Sequence, residues 1–174
     1  QVAAGLLIAV ASSAATLLIV QRSSTAANLS GSDVVASHIR SLMANHLTDV
    51  ASTDEHNVKP WFDGKVPFAP DVPRLDSAGF RLIGGRVDSV GHEPAAALVY
   101  GRRQHVINVF VWPSRRAADS GSAVSGGVER GYNVVRWIRN DLQYAAASDL
   151  AIGELRAFVE EFRRESRAPI TEPR

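Results

Sequence analysis

The stretch that decides the fold runs from Ala95 to Trp112 and reads AAALVYGRRQHVINVFVW. Two apolar runs, Ala95–Tyr100 and His105–Trp112, flank Gly101–Gln104, whose composition suits a short hairpin loop. In the second run His105, Ile107, Val109 and Val111 share one face, while Val106, Asn108, Phe110 and Trp112 share the other. Both faces are largely apolar, which places this strand at the centre of a sheet covered on two sides.

The period of two extends outward from this hairpin. Upstream, Phe80–Ile83 and Arg86–Val90 flank Gly84-Gly85, a pair that predicts a bulge or sharp bend. Downstream, Tyr132–Arg139 and Leu142–Ala147 surround Asn140-Asp141, a good two-residue turn. Between them Pro113–Arg130 is rich in Ser, Gly and Ala and predicts a long mobile loop. Helix signals bracket the strands. Ser32 and Asp33 open a stripe of Val35, Ile39, Leu42, Met43, Leu47 and Val50, which predicts a helix over about 33–51. Four prolines, Pro60, Pro67, Pro70 and Pro73, forbid a long helix in Ser52–Ser77, apart from a single turn near Asn57–Phe62. Ser148 or Asp149 is expected to cap a last helix with Leu155, Phe158, Val159 and Phe162 on its apolar face. The expected fold is α+β: an antiparallel sheet of about five strands flanked by an N-terminal and a C-terminal helix.

The chain has 174 residues, 19 Lys+Arg, 18 Asp+Glu, 5 His and no Cys, with 45% apolar residues. A net charge of +1 provides no field for gathering phosphate, so nucleic acid is not an expected partner. Absence of cysteine excludes thiolate zinc sites, a thiol nucleophile and a CxxC redox pair. All 37 of the Lys, Arg, Asp and Glu residues lie after Val20. Residues 2–20, VAAGLLIAVASSAATLLIV, would rise roughly 28 Å as a helix, enough to span a bilayer's hydrocarbon. An anchor fits better than a cleaved signal peptide, because Thr16–Val20 continues the apolar run past Ala14-Ala15. The chain begins at Gln1 with no Met or basic flank, so a preceding segment is expected. After Arg22 the next basic residue is Arg40, and this sparse flank places the downstream domain outside the cytoplasm. The resulting organisation is a transmembrane helix at 1–22, a polar linker at 23–32, an extracytoplasmic domain at 33–166 and a flexible tail at 167–174.

Motifs for chemistry are sparse. Neither Gly84-Gly85 nor Gly126-Gly127 stands in a phosphate-binding pattern, and no GxSxG occurs. No catalytic residue and no cofactor is assigned, and the protein is not expected to be an enzyme. The histidines His38, His46, His56, His92 and His105 are the candidates for a metal or a pH response. Met43, His46 and His56 form a weak soft-metal set whose spacing matches no strong ligand motif, and a packed helix-face histidine is the simpler reading of His46. Trp61, Phe62, Lys65 and Trp112 are candidates for an interaction surface, with Trp137 read as core.

Several runs share an order with a known group: Lys59-Pro60-Trp61-Phe62, Gly64-Lys65, Phe68 and Pro70; then Gly79-Phe80, Leu82 and Gly84-Gly85-Arg86. Ala97–Tyr100, Arg103-Gln104-His105, Ile107-Asn108, Phe110, Trp112-Pro113 and Tyr132-Asn133 to Trp137 continue it. In this order the chain resembles, over about 56–162, the extracytoplasmic region of single-pass transmembrane anti-sigma factors. The resemblance implies a bacterial inner-membrane protein with a periplasmic domain, acting in stress response, signal transduction and transcription regulation. It implies that a cytoplasmic part, absent from this chain, holds an extracytoplasmic-function sigma factor inactive. Expected partners are that sigma factor, membrane lipid along 2–20 and a regulatory protease at Ser23–Asp33. The alternatives are an anchored periplasmic ligand- or metal-binding module without a sigma partner, and an anchored hydrolase.

Overall fold

The computed structural model describes residues 31–43, 46–114 and 124–167. The chain divides into two units, 1–30 and 31–174, of which only the second is described. The apolar segment 2–20, most of the linker and the end of the tail lie outside the described residues. Among the described residues no helix is long and apolar enough to cross a membrane.

Seven strands form one antiparallel sheet: β1 Val50–Ala51, β2 Arg81–Val90, β3 Glu93–Arg102, β4 His105–Pro113, β5 Ser125–Glu129, β6 Tyr132–Arg139 and β7 Leu142–Ser148. Their spatial order is β1-β2-β3-β4-β7-β6-β5. Helices α1 (Gly31–Met43), α2 (Glu55–Trp61) and α3 (Ile152–Glu165) complete the α+β fold with a short 3-10 turn at Asp76–Ala78. The decisive hairpin is β3–β4, where Arg102 faces His105 across the loop and β4 is central.

Seven strands replace the expected five for two reasons. The stretch read as one loop, Pro113–Arg130, contains β5, which pairs with β6 through Arg130-Gly131, both at positive φ. This is the same turn chemistry that Asn140-Asp141 supplies between β6 and β7, with φ of 48° and 57°. The second added strand, β1, comes from the end of the predicted first helix. Instead of continuing to residue 51, the helix is described only to Met43, and the chain then joins the edge of β2. Asp49 N–H donates to Gly85 C=O at 2.9 Å, and Ser52 N–H to Ile83 C=O at 3.1 Å. Gly84 and Gly85 admit this close approach. A Cβ at Gly84 would sit 2.1 Å from the Val50 carbonyl oxygen, and one at Gly85 2.8 Å from the Phe62 ring. The β2–β3 register shifts between Leu82 and Gly84, within a single continuous strand.

One sheet face carries Leu98, Tyr100, Ile107, Val109, Val111, Val135, Trp137, Tyr144 and Ala146. Leu155, Phe158, Val159 and Phe162 of α3 cover it, together with Val58 and Phe62 and the proline-rich chain at Val66, Val72 and Leu75. Trp137 stacks on Tyr144 at 5.1 Å, and Phe162 meets both rings edge-on. The proline-rich chain is tied down by Tyr100 Oη–H donating to Pro73 C=O and by Arg139 pairing with Asp71. Helix α3 begins after Ala151 without a side-chain cap, because Ser148 ends β7 and Asp149 faces His105.

Alternation puts Val99, Asn108, Ala97, Phe110, Ala145 and Ala147 on the opposite face, where α1 lies. The helix crosses the strands. A Cβ on Gly31 would sit 2.9 Å from Glu129 Oε2 of β5, while Ser37 Oγ–H donates to Ser89 C=O of β2 at 2.7 Å.

Candidate functional site

The buried face of α1 is not the stripe that periodicity picks out. It consists of Val34, Val35, Ser37, His38 and Ser41, whereas Leu42 is exposed and Met43 is 82% exposed. Three of these five side chains are polar, and what they meet on the sheet is polar too.

Arg86 is the centre of this seam. Gly85 turns toward Phe62, so alternation sends Arg86 to the α1 face, where it is 1% exposed. Its Nη1–H groups donate to Leu47 C=O and to Asn108 Oδ1, each at 3.0 Å. Nε–H donates to Asp88 Oδ2 at 2.9 Å, and Nη2 lies 2.8 Å from the same oxygen. The guanidinium carbon sits 5.5 Å from the Phe110 ring centroid. Burial pulls the Arg86 pKa below its ordinary value, and the Asp88 carboxylate opposes that pull.

Asn108 carries the seam into the helix. Its Nδ2 lies 2.7 Å from His38 Nδ1 and 3.1 Å from Ser41 Oγ. Ser41 Oγ–H in turn donates to His38 C=O at 2.8 Å. The His38 ring meets Tyr132 of β6 edge-on at 5.0 Å. Burial, and next the positive charge of Arg86, push the His38 pKa down to about 4, against an upward pull from Asp149. At the rim Arg40 reaches both Ser37 Oγ and Asp88. The arrangement is a positioning device that fixes one helix to β2, β4 and β6 through buried polar side chains.

The residues singled out earlier lie elsewhere. His46 pairs with Asp49 at 2.8 Å, while His56 stands with Asp54 and Glu55. That trio's ligand atoms lie within 4.8 Å of one another, but Arg74 already pairs with Glu55 at 2.9 Å and with Asp54 at 3.7 Å. Phe62 and Trp112 are buried. Of the four aromatic-surface candidates, Trp61 and Lys65 reach solvent, with Lys65 Nζ 4.5 Å over the Trp61 ring and donating to the Trp61 carbonyl. Trp137 is core. His105 Nδ1 lies 2.9 Å from Asp149 Oδ1, half of a hydrolytic arrangement, but the adjacent Ser148 hydroxyl is buried and donates to Val106 C=O.

In the sequence, Arg86 and Asn108 stand out only in the ordered resemblance and along their strands, no site role attaches to them or to Ser41 and Asp88, and His38 is one histidine among five. Two signals stood in view. Asn108 is a polar interruption in a central apolar strand, and His38 and Ser41 are spaced to share a helix face. Comparison with protein-family models and with curated proteins finds nothing that matches this chain.

Proposed function

We propose that this chain is the extracytoplasmic sensor region of a membrane-anchored anti-sigma factor, whose cytoplasmic part, outside this sequence, holds an extracytoplasmic-function sigma factor inactive. The observation that carries the reading is positional. A charge-free stretch of bilayer length, 2–20, is followed after a short polar linker by α1, and α1 is the helix that lies across the sheet. A domain whose first helix sits on a polar seam can pass a change of packing to the segment that precedes it. The ordered resemblance over 56–162 supports the same reading, and its residues Gly84, Gly85, Arg86 and Asn108 occupy structurally demanding positions.

In this reading Ser23–Asp33 is the control point, cut or exposed when α1 changes its docking. Residues 31–33, the end of this segment, already belong to α1 and are half-buried, so undocking would expose them further. The test is co-purification of the full-length parent with sigma factors; failure to retain any sigma factor overturns the proposal. Mapping of cleavage sites during induction tests the linker. Proteolysis that leaves Ser23–Asp33 intact removes the protease step.

A further inference from the structure

The side chain of Asn108 has no choice of orientation. A guanidinium only donates, so the amide oxygen must face Arg86 Nη1, 3.0 Å away, and the amide nitrogen must face α1. Its two hydrogens go to His38 Nδ1 and to Ser41 Oγ. His38 Nδ1 must therefore present a lone pair, which makes the docked ring neutral with its proton on Nε2. A proton added at Nδ1 would set N–H against N–H across 2.7 Å. Flipping the amide offers no escape, because it would turn the NH2 group against Arg86. Ser41 cannot compensate, since its hydroxyl hydrogen is committed to His38 C=O.

The surrounding charges leave little to neutralise an imidazolium. From β2 come Arg86 and Asp88, and Asp88 is already shared between Arg86 and Arg40 of α1 itself. From β6 come the Tyr132 ring and, on the same sheet face, Arg136, a second cation that Glu129 of β5 and Asp33 of α1 already attend; past the end of β7 stands Asp149, the carboxylate that favours the cation. The opposite-face core, built on α3, Trp137 and Tyr144, includes no residue of α1.

We propose that His38 is a proton-operated release for α1: a proton at Nδ1 undocks this helix from β2, β4 and β6 while the sheet and its α3-covered core remain folded. The inference concerns docking within the domain and stands independently of any sigma partner. A docked histidine at about 4 and a free one at 6.5 make docking weaken as pH falls from 6.5 toward 4. Between pH 7 and pH 5 the docking equilibrium shifts roughly 20-fold toward release.

Hydrogen–deuterium exchange of the full 174-residue chain in nanodiscs at pH 7 and pH 5, corrected for chemical exchange rates, tests this. The expected result is a roughly 20-fold loss of α1 amide protection at pH 5, with β3, β4, β7 and α3 unchanged. His38→Gln keeps an acceptor but binds no proton, and is expected to abolish the loss. Asn108→Asp places a carboxylate between Arg86 and His38, so α1 is expected to be better protected at pH 5 than at pH 7. Parallel loss from α1 and the strands overturns the proposal, as does a loss that persists in His38→Gln. If His38→Gln does not fold, Asn108→Asp decides alone: the same sign as the unmodified chain overturns the proposal, and inversion supports it. No sigma factor enters the readout, so its failure is distinguishable from failure of the co-purification.

Discussion

Arg86 and Asn108 meet at 3.0 Å although a whole strand, β3, lies between theirs. Ala97 makes this possible. It is the register partner of Arg86 on one side and of Phe110 on the other, and its methyl group leaves the guanidinium room to cross. A larger side chain at 97 would fill that space. Ala97→Leu is expected to cost about 1–3 kcal/mol by overpacking and to separate Arg86 from Asn108, seen as a lower denaturant midpoint and faster exchange in α1.

Removing the charge itself is more severe. Arg86→Met strands Asp88, Leu47 C=O and Asn108 Oδ1 without their buried donor. Loss of one partner from a buried pair costs about 3–5 kcal/mol. Urea denaturation of the variant gives the number, and a change below about 1 kcal/mol would show that water replaces the guanidinium with little cost.

Stability should also depend on pH through His38. Its folded pKa, about 4, lies below the unfolded value of 6.5, so the unfolded chain binds more protons between these limits. This contribution is complete above pH 6.5 and is lost as pH falls toward 4, by at most roughly 3 kcal/mol. The measurable quantity that isolates His38 is the difference between the pH profiles of the unmodified chain and His38→Gln. Identical profiles would contradict the prediction.

The glycines of β2 offer a sharper contrast. Gly84→Ala drives a methyl into the Val50 carbonyl and should strip β1 from the sheet, while Gly85→Ala presses on Phe62. Gly127→Ala meets nothing within 4 Å. Thermal melts are expected to show losses of about 1–3 kcal/mol for the first two and less than about 0.5 kcal/mol for the third.

On the opposite face, Phe162 touches Trp137, Tyr144, Tyr100 and Phe158. Phe162→Ala should cost about 3–5 kcal/mol and change the tryptophan emission, since the ring beside Trp137 is removed. Unaltered emission with full stability would mean that α3 contributes little to holding this core.

Local chemistry made much of this architecture readable from the chain. Alternation in Ala95–Trp112 placed β4 at the centre, Asn140-Asp141 marked a tight turn, and the spacing of Leu155, Phe158 and Phe162 marked a helix face. These signals are short-range, since backbone period and turn preference act within a few residues. The signal for β5 was present in Arg130-Gly131 but was masked by a serine- and glycine-rich composition. The first helix misled for a different reason: Leu47 and Val50 keep a helical spacing, yet the backbone from Asp49 to Ser52 pairs with the edge of β2 and the Leu47 carbonyl accepts from Arg86.

By itself the sequence determined the class of fold, the central strand, the apolar face of α3, Trp137 as core, the charge-free segment at 2–20 and the absence of thiol chemistry. Tertiary structure alone decided the seam. Arg86, Asn108 and His38 stand apart in the chain, and although Asn108 interrupts an apolar strand and His38 shares a helix face with Ser41, nothing local says that they meet. Only strand register, with alanine at 97 as the gap between two strands, brings a donor-only guanidinium, an amide and an imidazole within hydrogen-bonding distance. The reason is physical: periodicity reports which face a side chain occupies, whereas a buried polar contact depends on which other strand or helix that face meets.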